Sequence, residues 1–494
     1  MKITYRNTVN HTLKPSEHPY MSGAWTPIPE ELDAHDLEVI GQIPLDIDGI
    51  YVRNTENPVH EPLGFYHPFD GDGMLHTMNF RDGKVIYKNR FIRTRAFEAE
   101  QESGESLWAG FANPTGLSKR PGMTAQGHVK DASSTDVVFH AGKILSTHWL
   151  CGEGYRLDPF TLEQLGIESW TPLDGISAHP KVDERTGELM FFNYSKYAPY
   201  QHYGVVDKDN NLVHYTPIPT PGSRLPHDMA FSENYSILID LPMFWDPEKL
   251  EQDRHDVSFH PDMKTRFAVF PRYGTEQDVR WFEADPTYVL HWNNAYEDGD
   301  ELIVDGFFQE DPTPGPLPGM NKFMGRVMAG LDQHSMRTKL HRWCFNLKTG
   351  QVTERHLDDR VLEFGTFNQQ YAGRKNRYSY STWTKPGWFL FSGLVKHDLE
   401  SGESWSLAFG DNRFGSEAPF APRINAQDED DGYLVSFITD MNEDRSECIL
   451  VDAKDIEAGP VCRVILPHRI SSGTHAAWGD GASLRALNSV TGSP

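Results

Sequence analysis

The feature that most narrows what this chain can fold into is a repeated punctuation. Short apolar or β-branched runs close on an aspartate, pass through a turn rich in Gly, Asn or Pro, and return as a second run, as in RLDPFTLE, VVDKDNNLV and KHDLESGES. Candidate strand pairs of this kind include DGKVIYKNRFIRT, GELMFFNYS with YGVVDKDNNLVHY, YSILIDLPM with RFAVFPRYG, DELIVDGFF with LHRWCFNLKTGQV, and YLVSFITD with CILVDAKD. Convincing helical periodicity is scarce, the best window being the acidic stretch from Ala96 to Leu107. The chain therefore reads as all-β. Its units recur at roughly the 40 to 50 residues of a propeller blade, and seven such units suit 494 residues better than six or eight. An irregular array of β-sandwiches is the competing arrangement on pattern alone. Nothing linker-like or low-complexity divides the chain, so residues 1–494 are expected to form a single domain.

Charge and composition remove several classes of function. A formal net charge of -25, with no Lys/Arg-rich run, repels nucleic acid and anionic lipid. No window of about 18 apolar residues could span a bilayer, and MKITYRNTVNHTLKPSEHPYM lacks the layout of a signal peptide, so a cytoplasmic protein without a stable membrane anchor is expected. The four cysteines, Cys151, Cys344, Cys448 and Cys462, form no CxxC pair and read as reduced structural thiols. Neither a GxGxxG strand-to-helix fingerprint nor a Walker-type loop occurs, so no organic cofactor is implied.

Among 22 histidines, four stand at strand-like boundaries in apolar or small-residue contexts: His179 in ISAHPKVD, His227 in RLPHDMAF, His291 in YVLHWNNAYED and His475 in SGTHAAWG. They are far too widely spaced for a local finger motif. A radial fold, which turns one strand of each blade toward a common channel, is an arrangement that could gather one residue from each of several repeats. Four neutral imidazoles suit a borderline divalent metal and leave two positions of an octahedral shell open, as catalysis requires.

With these contexts in view, the sequence resembles the carotenoid cleavage oxygenase family, which includes lignostilbene dioxygenases and isoeugenol-type alkene-cleaving enzymes. The resemblance runs from GQIPLDIDGIYVRNTENP through FYHPFDGDGMLH, AHPKVDERTGEL, LPHDMAFSENYSI and HWNNAYEDGDELIVD to EDDGYLVSFITD and GTHAAWG. It implies a seven-bladed β-propeller with a small helical or loop cap over a single Fe2+ held by His179, His227, His291 and His475. It also implies cleavage of a C=C bond by O2 to two carbonyl products. Glutamates that orient the ligands in relatives match Glu363 in VLEFGTF and Glu417 in FGSEAPFAPR; the third is replaced by Leu150, which leaves Glu153 or a backbone carbonyl to take its place.

Substrate residues follow from the same resemblance. Thr135 matches a residue beside the open metal position, where its methyl would restrict O2, although an ordinary strand threonine is the alternative. Lys130, in GHVKDASST, matches the lysine that contacts a phenol oxygen in stilbene cleavers, with a solvent-exposed loop lysine as the alternative. The accompanying tyrosine is not evident, Phe97 being the nearest candidate, while Phe307, Phe308 and Phe69 are candidates for a tunnel wall, with core packing as the alternative and the commoner role of aromatic-rich strands. The expected ligands are a small hydrophobic alkene, a stilbenoid or phenylpropenoid ahead of an apocarotenoid, together with O2. The chain is expected as monomer or homodimer, without nucleic acid. A non-oxidative isomerase and a non-catalytic binding scaffold are the remaining alternatives.

Overall fold

The computed structural model describes residues 1–124, 129–170, 175–252 and 257–490. Among them are seven antiparallel sheets of four or six strands, one two-stranded ribbon, and few helices, of which Arg95–Ser103 and Gly481–Val490 are the longest. The first of these begins one residue before the expected helical window and stops at Gly104, whose left-handed φ of 72° terminates it. The chain divides into two compact units, Met1–Ile176 with Trp405–Pro494, and Ser177–Ser404.

The punctuation seen in the sequence has a local cause. The side-chain oxygen Oδ1 of Asp158 accepts from the backbone N–H groups of Phe160 and Thr161, that of Asp207 from Asp209 and Asn211, and that of Asp398 from Glu400 and Ser401. Each aspartate ends or directly follows the third strand of its sheet and satisfies turn donors that the ladder cannot reach. Asp452 does the same for Lys454.

The first unit contains three sheets and joins the two ends of the chain. Strand Ala476–Asp480 pairs antiparallel with Gly49–Arg53, and Glu38–Gly41 pairs with Pro460–Ile465, so two of the sheets mix N-terminal and C-terminal strands. Strand Gly49–Arg53 is buried along its whole length because alternate side chains enter different cores. Tyr51 packs among Phe80, Tyr87, Val435, Phe437 and Leu450, whereas Val52 packs among Leu75, Val137, Ile144 and Tyr155. The second unit contains four sheets of its own, with Phe307, Leu340, Leu362 and Val395 filling the space between two of them.

All four cysteines are free thiols, three of them buried. Among the described residues no helix is long and apolar enough to cross a membrane.

Phe437 touches Tyr51, His76 and Tyr87 at the seam where the chain ends meet, and only 1% of it is exposed. Phe437→Ala is expected to cost about 3–5 kcal/mol, read as a lowered midpoint in chemical denaturation.

Candidate metal centre and pocket

Every large sheet begins, in chain order or at its closing edge, with a strand preceded by or carrying a chemically significant residue. His179 stands two residues before Lys181–Asp183, His227 three before Ala230–Phe231, His291 directly before Trp292–Asp298, and His475 directly before Ala476–Asp480. Each of these strands is the edge of its sheet. Thr135 precedes the edge strand Asp136–His140, Glu363 lies in the edge strand Leu362–Thr366, and Glu417 follows Arg413–Phe414.

In the second unit, the ligand nitrogens of His179, His227 and His291 lie within 4.8 Å of one another, and all three residues are buried. The Nε2 atoms of His179 and His227 are 3.2 Å apart. Two nitrogens bonded to one divalent ion at about 2.1 Å, on adjacent corners, would stand about 3 Å apart, so the donor set fits a metal. His291 Nδ1 donates to Glu363 Oε2 at 2.7 Å, which leaves the lone pair on Nε2 for the cluster. His179 holds a left-handed φ of 65°, a conformation that costs a non-glycine residue about 1–3 kcal/mol and that here accompanies the turn of its ring into the cluster.

One residue that the sequence reading passed over ties these segments together. Asp228, buried beside His227, accepts from Lys181 Nζ at 2.7 Å, from the Trp292 N–H at 2.8 Å and from the Met229 N–H at 2.6 Å. Its partners thus lie two residues beyond His179 and one beyond His291. Burial raises its pKa to about 6 despite these donors. The available signal was an acidic residue set between His227 and an apolar run in RLPHDMAF.

The first unit holds His475, whose Nδ1 is 3.2 Å from Glu417 Oε2; the same oxygen accepts from the Ala476 N–H at 2.7 Å. Among the described residues Glu153 is bonded to no histidine. One of its oxygens accepts from the Tyr155 hydroxyl at 2.7 Å and the other pairs with Arg95 at 3.1 Å, at a partly exposed position. Leu150 is buried and lines a pocket. Thr135 accepts from the Trp149 N–H at 3.1 Å, so its hydroxyl anchors the chain at that pocket's wall.

The pocket, wholly within the first unit, has aromatic walls from Phe65, Tyr66, Phe69, Trp108, Phe111 and Trp149. Lys130 lines it rather than standing in a solvent-exposed loop. Its Nζ donates to Asp72 at 2.7 Å and to Glu100 at 2.8 Å, both buried carboxylates. Burial pulls the Lys130 pKa down, but the two carboxylates outweigh it and hold the ammonium above its ordinary range.

Of the four aromatic candidates, three lie elsewhere than in this pocket. Phe97 is core, stacked on Phe91 with ring centroids 5.2 Å apart and grouped with Val9, Val59 and Met74; it does not line the pocket. Phe307 fills the space between sheets, and its N–H donates to the His291 carbonyl at 3.2 Å, so it supports the cluster from behind. Phe308 packs on His341, His356 and Trp343, away from the pocket, whereas Phe69 does line it.

Comparison with known proteins decides the family. The family model described as retinal pigment epithelial membrane protein matches residues 25–480. A carotenoid 9,10(9',10')-cleavage dioxygenase 1 from Pisum sativum is 34% identical, the match covering 93% of this chain and 89% of that protein.

The chain belongs to the carotenoid oxygenase family.

Isoeugenol monooxygenase from Pseudomonas nitroreducens is also similar, at 29% identity over 93% of this chain and 98% of its own length. The crystal structure of lignostilbene dioxygenase from Pseudomonas brassicacearum superposes with a TM-score of 0.83 and 27% identity, covering 95% of this chain and all of the other. The seven large sheets are the blades of the seven-bladed β-propeller of this family of alkene-cleaving dioxygenases.

Because Glu363 fixes the His291 ring, Glu363→Ala is expected to weaken divalent-metal binding by about 10- to 100-fold, measured by titrating metal-free protein with Fe2+ under anaerobic conditions.

Proposed function

We propose that this carotenoid oxygenase family member is a non-heme iron dioxygenase that cleaves the C=C bond of a phenolic alkene, a stilbenoid or phenylpropenoid, to two carbonyl products. The observation that carries the reading is the convergence of three buried histidine nitrogens within 4.8 Å. His179, His227 and His291, with His475 as the fourth ligand by resemblance, would hold one Fe2+. Bound there, the iron would supply activation of O2. Both oxygen atoms end in product, one in each carbonyl, so the reaction needs no external reductant.

The protein's own residues do the positioning. Glu363 keeps the His291 lone pair on Nε2, and Glu417 sits at the Nδ1 side of His475. Asp228 fixes the backbone around the three clustered histidines. Leu150, where relatives carry a third glutamate, leaves one ligand without that carboxylate. The aromatic pocket is the proposed substrate site: it removes an arene from water and lets Lys130 donate to a ring oxygen. Because Asp72 and Glu100 offset its charge, Lys130 acts there as a hydrogen-bond donor and favours phenoxide less than a lone ammonium would.

A second reading, cleavage of an apocarotenoid, is favoured by one observation: the Pisum sativum carotenoid dioxygenase is more similar in sequence than the isoeugenol enzyme, 34% against 29%. Iron-loaded protein incubated in air with resveratrol, 4-vinylguaiacol, isoeugenol and an apocarotenal separates the two. Aromatic aldehydes from the phenolic set alone, read by mass spectrometry, are the expected result; cleavage of the polyene alone would overturn the phenolic reading. His227→Ala is expected to lower iron from one per chain to background and to abolish aldehyde formation.

A further inference from the structure

The pocket contains a polar group that neither the fold nor the proposed chemistry uses. His148 directly follows the strand Lys143–Thr147, is 2% exposed, and lines the pocket beside Lys130 and Trp149. Among the described residues its buried Nδ1 has no hydrogen-bond partner. A buried imidazole nitrogen left dry is costly, and such atoms are rare unless a ligand or water completes them. Burial, and then the charge of Lys130, lower the His148 pKa to about 3, so the ring is neutral and offers one donor and one acceptor.

Lys130 has complementary capacity. An ammonium carries three N–H donors, and among the described residues the hydrogen bonds of Lys130 go to Asp72 and Glu100, which leaves a third donor for the pocket. Several other polar groups on the wall are occupied. Asp70 accepts from the N–H groups of His67 and Phe111, Glu100 accepts from the Leu107 N–H with its other oxygen, and the Tyr66 hydroxyl donates to the Pro68 carbonyl. His60 is bonded on both ring nitrogens, to Thr12 and Gln101.

We propose that His148 is a specificity-determining residue whose Nδ1 hydrogen-bonds a second oxygen substituent on the substrate ring, so that the site selects arenes bearing two oxygens over those bearing one. This inference rests on the phenolic reading above. A ring with one hydroxyl satisfies Lys130 and leaves His148 unpaired; a ring with a hydroxyl and a further hydroxyl or ether oxygen satisfies both. Sites built to hydrogen-bond a polar substituent reject analogues that lack it, because the protein group is then buried without a partner.

Binding can be read without turnover. Bibenzyl, 4-hydroxybibenzyl and 3,4-dihydroxybibenzyl lack the scissile double bond, and Trp108 and Trp149 in the pocket wall report their binding by fluorescence quenching. The wild-type protein is expected to bind 4-hydroxybibenzyl more tightly than bibenzyl, and the dihydroxy ligand about tenfold more tightly again. In His148→Phe the second step falls to about one while the first is kept; His148→Asn, which restores a polar atom, recovers part of it. Circular dichroism verifies that both variants fold. A dihydroxy preference unchanged in His148→Phe and His148→Asn would overturn the role of His148 alone. A wild-type protein that binds bibenzyl as tightly as 4-hydroxybibenzyl would overturn the phenolic reading and the inference with it.

Discussion

A single buried carboxylate holds the chemistry of the second unit in place. Asp228 accepts hydrogen bonds from the Lys181 ammonium and from the backbone N–H groups of Met229 and Trp292, so that segments from three different blades meet on one side chain. The clustered histidines are its near neighbours in sequence: His227 precedes it, His291 precedes Trp292, and His179 stands two residues before Lys181. A metal site demands that donors from distant parts of the chain agree to within a fraction of an ångström, and loops alone do not give that agreement. Here the blades supply rigid edge strands, and the buried charge, which would be costly without its donors, fixes how the segments that carry the histidines leave them.

The rest of the architecture can be understood as support for this placement. Blade turns are closed by aspartates that satisfy their own loop donors, so the strands can be uniformly apolar and still end cleanly. Strands such as Gly49–Arg53 are buried on both faces because each side packs against a different sheet. In the first unit, the pairing of Ala476–Asp480 with Gly49–Arg53 anchors the segment that carries His475, immediately before the strand, and brings it beside Glu417. The same unit builds a pocket whose aromatic walls come in equal part from the segment Phe65–Phe69 and from the loops around Gly110 and Trp149, and several of whose polar groups are already committed.

Much of this was legible in the sequence, and the parts that were not have physical reasons. The blade count followed from the Asp-terminated hairpins, because a turn must satisfy its donors locally and so leaves a mark at every repeat. The histidines were visible as a set because each sits at the start of an edge strand. Asp228 was not, since a lone acidic residue in an apolar stretch looks the same whether it is knotted to three segments or exposed. Phe97 was misplaced, and Phe307 left open between tunnel wall and core, for a related reason: an aromatic residue carries no sequence sign of which face it turns toward, and both turned into cores. Lys130 was found, but its two carboxylates, Asp72 and Glu100, lie 58 and 30 residues away and could be joined to it only in three dimensions. Glu153 fell to Arg95 and Tyr155, a competition that no motif records.

The central claim is that the cluster of His179, His227 and His291 binds the metal on which the chemistry depends. Anomalous diffraction at the iron absorption edge, from crystals grown with Fe2+, tests it most directly. The account predicts one strong peak per chain, about 2.1 Å from the facing nitrogens of those three residues. A peak elsewhere, or none in protein shown to be folded and iron-loaded, would contradict it.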